Sequence, residues 1–235
     1  NAEGEGQIWF NTTSSDYKTI QKVTGSWASG GALNNGRKQM AGVGIYTAGM
    51  VVGGSPASHT EQYDGSAWTE IADLNTARSQ LAASGHGTTT AALAFGGAPL
   101  PEGPTSAGDE SETWNGASWT EGGDLNTGRR ALGGGGTSTA ALAFGGQTSP
   151  TTFMNESEEY DGSSWTEGDN LNTGRNALAG AGSQTAGIAI SGRKPATGGE
   201  TEIYDGSSWT EVADLNSARN QASGCGISTA ALCVG

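Results

Sequence analysis

The residues with chemistry to offer fall into those that recur and those that do not. Arg37, Arg78, Arg129, Arg175 and Arg219 recur, each ten residues after a tryptophan (Trp27, Trp68, Trp119, Trp165, Trp209). A guanidinium can clamp a carboxylate or an acidic sugar, or it can join structural units through an ion pair or carbonyl hydrogen bonds. Recurrence in every unit favours the structural use. The other use would ring one mouth of a central channel with arginines, with Asn75, Asn126, Asn172 and Asn216 beside them as neutral donors and acceptors. Glu70, Glu121, Glu167 and Glu211 also recur, as a solvated strand edge does. His59 and His86 stand in different units without a partner pattern and read as solvated loop histidines, so neither a metal site nor a cofactor is expected. Cys225 and Cys233 fall on adjacent expected strands, as a cross-strand disulfide or as two small buried residues. No acid, base, nucleophile or metal set breaks the repeat, so no catalytic residue and no enzymatic activity are expected.

Positioning these groups requires the array that the spacing describes. An aromatic residue, Asp or Asn, and Gly precede the tryptophan in four units (Tyr63, Trp114, Tyr160, Tyr204), and the units run 41 to 51 residues, the length of propeller blades. Asp64-Gly65 and its equivalents are tight-turn signals between two strands. Ala91 to Phe95 and Ala140 to Phe144 are apolar runs that suit strands covered on both faces. Leu178-Ala179-Gly180-Ala181-Gly182 is small enough for the crowded innermost strand. The Gly pairs 53/54, 96/97 and 145/146 allow close backbone approach or positive φ. Each unit thus reads as four antiparallel strands: a after the Arg, b ending in the Gly pair, c ending at Tyr-Asp-Gly, and d starting at Trp. Residues 6 to 23 read as a hairpin, and Arg78 to Phe95, two residues longer than its counterparts, predicts an insertion near His86.

Composition sets bounds on partners. The 235 residues include 41 glycines and carry a net charge of -13, with only 11 basic side chains. That balance argues against duplex nucleic acid or an anionic membrane as partner. No run of 18 apolar residues predicts a membrane span, and the first thirty residues lack a signal-peptide core. A start at Asn1 suggests a processed product or part of something longer. Asn11-Thr12-Thr13 and Asn155-Glu156-Ser157 match glycosylation triplets, a pattern common by chance.

The Gly pair, the Tyr-Asp before a turn, the Trp a few residues on and the Arg opening the next strand resemble kelch repeats over residues 17 to 235. That resemblance implies an all-β fold, a five-bladed β-propeller of four-stranded antiparallel blades. The wording YDGSSWTE, DLNTAR and TAALAFGG, with a leading EGQIWFNTTSSDYK, is also similar to tail or appendage proteins of bacteriophages, marine ones in particular. The likeness implies a virion or extracellular setting. Departures are the Trp27 unit without Tyr-Asp-Gly, Ser191-Gly192 in place of a Gly pair, and a chain that stops at Val234-Gly235. Propeller enzymes are the contrasting case: galactose-oxidase-type copper sites need a His and Tyr ligand set, and sialidases a spaced Asp box that Asp161-Gly162-Ser163-Ser164-Trp165 lacks.

Residues 1 to 16 are then an N-terminal linker or hairpin strand, and residues 17 to 235 one propeller whose last blade joins residues 17 to 31 to residues 220 to 235. Joining the termini would remove two exposed sheet edges. Selectivity should reside where units differ, in the long b-to-c loops. Pro101, Phe153 and Met154, flanked by Asn126, Arg129 and Arg175, are the expected contact surface for a host glycan or a neighbouring virion subunit. A purely structural propeller within an oligomeric assembly is the alternative.

Overall fold

The computed structural model of the chain describes residues 8–11, 16–19, 30–56, 58–101 and 106–235. They fall into two units, residues 1–30 and 31–235. In the first, β1 (Ile8–Asn11) and β2 (Asp16–Thr19) pair antiparallel, Phe10 opposite Tyr17, which is the hairpin read from the sequence. That pairing gives Tyr17, Lys18 and Thr19 a partner in β1 on one side, and no pair with residues 220 to 235 is present among the described residues. Residues 20–29, the rest of the expected closing segment, lie outside the described residues.

The second unit is built from four antiparallel four-stranded sheets arranged as the blades of a propeller ring. The first blade is β3 (Ala41–Ile45), β4 (Ala48–Val52), β5 (Thr60–Tyr63) and β6 (Trp68–Ile71). In the second region β7 (Arg78–Ser79) pairs with β10 (Ala98–Pro99), while β8 (Ala82–Ala83), β9 (Ala92–Phe95), β11 (Ser111–Trp114) and β12 (Trp119–Glu121) make the blade. The third is β13 (Gly133–Gly136), β14 (Ala141–Phe144), β17 (Ser157–Tyr160) and β18 (Trp165–Glu167), with a small hairpin, β15 (Gln147–Ser149) and β16 (Thr152–Phe153), inserted before β17. The fourth is β19 (Ala179–Ser183), β20 (Ala186–Lys194), β21 (Ala196–Tyr204) and β22 (Trp209–Val212). A two-stranded sheet, β23 (Ser223–Ile227) with β24 (Ala230–Val234), follows.

Strand b is interior, as its run of apolar residues predicts: Ala92 to Phe95 and Ala141 to Phe144 are wholly inaccessible. The inner strands approach backbone to backbone. A Cβ on Gly180 would lie 2.6 Å from Gly134 N and O, and one on Gly224 2.6 Å from Gly180 O, so any side chain there would push the strands apart. The series ends at Gly42 of β3, where an added Cβ meets nothing within 4 Å. Beside β3 and β23 a cavity of about 780 Å³ is lined by all five inner strands. Leu232 and Val234 on β24 are exposed, and among the described residues no strand lies against the outer edge of that sheet. Cys225 there is exposed rather than buried, both cysteines are free thiols, and burial pushes the Cys233 thiol up.

The tight turns follow the sequence. Asp64 Oδ1 accepts the Ala67 N–H (2.9 Å), the Ser66 hydroxyl (2.8 Å) and the Ser66 N–H (2.8 Å), bonds that push its pKa down to about 2. The Gly pairs adopt positive φ, and the second N–H of each donates to the carbonyl of the next unit's arginine: Gly54 to Arg78, Gly97 to Arg129, Gly146 to Arg175, all at 2.9–3.0 Å. Ser191 replaces the first Gly of the fourth pair at φ 59°, and its hydroxyl accepts the Arg219 N–H at 3.1 Å. The insertion near His86 is a loop that reaches inward, where His86 N–H donates to Gly136 O (3.0 Å) and Nε2 lies 3.1 Å from Gly226 O.

Candidate ligand-binding site at the channel mouth

Four of the five repeated arginines are held the same way, while the fifth, Arg219, is half-buried and donates from Nη1 to Gly235 O at 3.1 Å. Arg78 Nη2 donates to Glu112 Oε1 at 3.1 Å, while Glu112 Oε2 accepts the backbone N–H (2.7 Å) and side-chain amide (2.9 Å) of Asn75. The Asn75 amide also donates to Trp119 O at 3.1 Å. Arg37 with Glu61, Arg129 with Glu158 and Arg175 with Glu202 repeat the arrangement, with Asn34, Asn126 and Asn172 as the amides. The glutamate stands seven residues before the tryptophan in each of these units, a fixed spacing that the sequence reading passed over among many solvated carboxylates. Burial pushes the Glu61 carboxyl up, but the N–H groups of Asn34 and Asn35 and the charge of Arg37 outweigh it and hold the group below its ordinary value. Burial lowers the Arg78, Arg129 and Arg175 guanidiniums, against the pull of their carboxylates.

The six residues of the expected contact surface sit in different surroundings. Arg129 and Arg175 are fully buried and face internal carboxylates, so neither offers a guanidinium to a ligand. Asn126 is exposed, but both its amide contacts are to Glu158 and Trp165 O. Met154 is buried, with its N–H on Gly146 O (2.9 Å) and its carbonyl accepting from Arg175 N–H (3.0 Å). Phe153 is half-buried on β16, and Pro101 is exposed. The six residues therefore do not form one open surface: the loop tip at Pro101 and the ring of Phe153 remain available, and the others hold the blades together.

What rings the mouth is the register just after each arginine. Lys38 bridges Ser55, Arg130 bridges Gln147 and Asn176 bridges Arg193, while β7 pairs with β10 in the second unit. The strand-a starts and the b-to-c connections thus share one face, as the loop pattern predicts. One residue further on, Gln39, Gln80, Ala131, Ala177 and Gln221 all take φ between 51° and 60°. Their peptide groups form a belt: Gln80 N–H donates to Gln39 O, Ala131 to Gln80, Ala177 to Ala131 and Gln221 to Ala177, at 2.7–2.8 Å. Above the belt opens a cavity of about 1160 Å³ whose rim includes Lys38, Arg130, Gln147, Asn176, Arg193 and Asn220. Lys38 and Arg193 are exposed, whereas Arg130 is buried with its Nε donating to Ser106 O at 3.2 Å. At the position that follows the invariant arginine the units carry Lys, Ser, Arg, Asn and Asn, so the mouth is where the repeat loses its symmetry. Hydroxyls and carboxylates suit such a rim of cations and amides. Compared with models of known protein families and with curated proteins, the sequence has no match.

Proposed function

We propose that the chain is a non-enzymatic recognition module of a bacteriophage appendage, exposed on the virion, and that its channel mouth binds a host-surface glycan bearing carboxylates. The observation that carries this reading is the asymmetric polar rim set on a repeating scaffold: unit-specific side chains converge on the mouth, while the repeated Arg37, Arg78, Arg129 and Arg175 are engaged by internal glutamates. Exposed Lys38 and Arg193 supply the charge for a carboxylate, and Asn220 supplies amide contacts for hydroxyls. The test is an array of acidic and neutral glycans probed with the parent and with Lys38→Ala/Arg193→Ala. Acidic glycans should be retained by the parent and bound at least about tenfold more weakly by the variant, equivalent to ~1.4 kcal/mol. Equal binding by both proteins would move the site elsewhere, and binding only to another virion subunit would favour an assembly role.

The same reading takes the ring as kelch-like and five-bladed, with β23 and β24 as the inner half of a blade completed by strands from residues 17 to 31. Two features support it. Gly31 O accepts Trp68 Nε1 at 3.1 Å, as Ala72 O accepts Trp119 Nε1 at 3.1 Å, so Gly31 sits where the end of an outer strand sits one unit later. The bare edge of β24 is the complementary half. By the pairing of Ala143 with Glu158 and of Ala189 with Glu202, Cys233 would stand opposite Ile20. On a Cys225→Ser background, Ile20→Cys should form a disulfide with Cys233 on mild oxidation. Two thiols still free to alkylating reagent would rule out closure in this register.

A further inference from the structure

The first blade departs from its siblings at two places that meet in space. His59 stands directly before β5, where the other units have Glu110, Glu156 and Glu200, and Asn35 stands where they have Thr76, Thr127, Thr173 and Ser217. His59 Nδ1 lies 3.6 Å from Glu70 Oε1 and 3.3 Å from Asp73 Oδ2, the three donor atoms all within 4.8 Å of one another. Each carboxylate is fixed through its other oxygen. Glu70 Oε2 accepts from Asn35 Nδ2 at 2.9 Å, and Asp73 Oδ1 accepts from Thr60 N–H at 3.1 Å. The His59 Nδ1 is closed to water and makes no hydrogen bond. The histidine expected to be an unpartnered loop residue thus faces two oriented oxygens.

We infer that His59, Glu70 and Asp73 form a site for a first-row divalent cation of the size of Zn²⁺. A tetrahedral ion with bonds of about 2.0–2.1 Å to nitrogen and oxygen has ligand-to-ligand edges of roughly 3.4 Å. The distances from Nδ1 to the two oxygens bracket that value, and the two oxygens lie within 4.8 Å of each other. One imidazole with two carboxylates also suits such a cation better than Ca²⁺, which takes six to eight oxygens. Partial exposure of all three side chains leaves the fourth position to water or a ligand oxygen. Asn35 is the outer partner that aims Glu70, the role that hydrogen-bonded second neighbours have at metal sites. The ion would tie the connection before β5 to the end of β6, and through Asn35 to the segment that precedes the first blade.

Chelator-treated protein titrated with Zn²⁺ in a calorimeter tests this. One saturable equivalent should bind, with a rise in the thermal midpoint. His59→Gln should abolish the binding, and Asn35→Ser should weaken it by about tenfold, as loss of an outer partner does. Both substitutions fall on half-buried positions, so circular dichroism would verify the fold. Absence of a saturable equivalent, or one that survives His59→Gln, would overturn the assignment and leave the cluster as a histidine–carboxylate ion pair.

Discussion

Glu158→Ala should destabilise the protein by about 3–5 kcal/mol, the cost of breaking a buried ion pair from one side. Arg129 would be left fully buried without its carboxylate, and the Asn126 N–H that donates 2.7 Å to Glu158 Oε2 would lose its acceptor. Urea denaturation compares the variant with the parent. The double replacement Arg129→Met/Glu158→Leu should recover most of the loss, because removing both charges of a buried pair together is often neutral or stabilising. If Glu158→Ala unfolds at the parent's midpoint, the junctions are held by apolar packing and the ion pair is incidental.

Trp165→Ala should cost a similar amount, roughly 3–5 kcal/mol, by opening a cavity between two blades. The indole packs on Phe95 of the preceding blade with ring centroids 4.9 Å apart and on its own blade's Tyr160 at 5.0 Å, and its Nε1 donates to Ser111 Oγ at 2.9 Å. Trp209 repeats this against Phe144 at 5.0 Å. Trp68 is only half-buried, and Trp68→Ala should lose visibly less. Thermal melts of the three variants would show the order; coincidence of the Trp165→Ala and parent curves would mean that the aromatic does not fill the junction.

The scaffold was legible because its determinants are local. Gly pairs mark positive φ, Asp-Gly marks a turn, and apolar runs mark covered strands, each readable within a few residues. The junction was half legible: the recurrence of arginine revealed its structural role, but its partner lies 24 to 34 residues on and is a glutamate among 24 acidic residues, with nothing local to set it apart. For the same reason Arg129, Arg175 and Asn126 were assigned to a ligand surface although internal carboxylates hold them. The belt left no trace, since Gln80 and Ala131 are not residues that advertise a left-handed backbone; packing between units imposes that conformation. His59 meets Glu70 and Asp73 only once the β5–β6 hairpin folds back, so the sequence kept them apart. In the fourth blade β20 and β21 run on as one long hairpin through Pro195, although its segment carries turn residues throughout.

The belt of peptide hydrogen bonds has a consequence for how such chains change over generations. Each link uses only the N–H of one unit and the C=O of the unit before it, so Gln and Ala serve equally at the position. The buried clamp lies within one unit, its arginine just before strand a and its glutamate on strand c. A tandem duplication of one unit therefore carries its own clamp and both halves of the belt link, and joins its neighbours without any compensating substitution. Unequal recombination between near-identical stretches such as Tyr160–Trp165 and Tyr204–Trp209 could add or remove a blade in one step, leaving the residues of the mouth free to diversify afterwards.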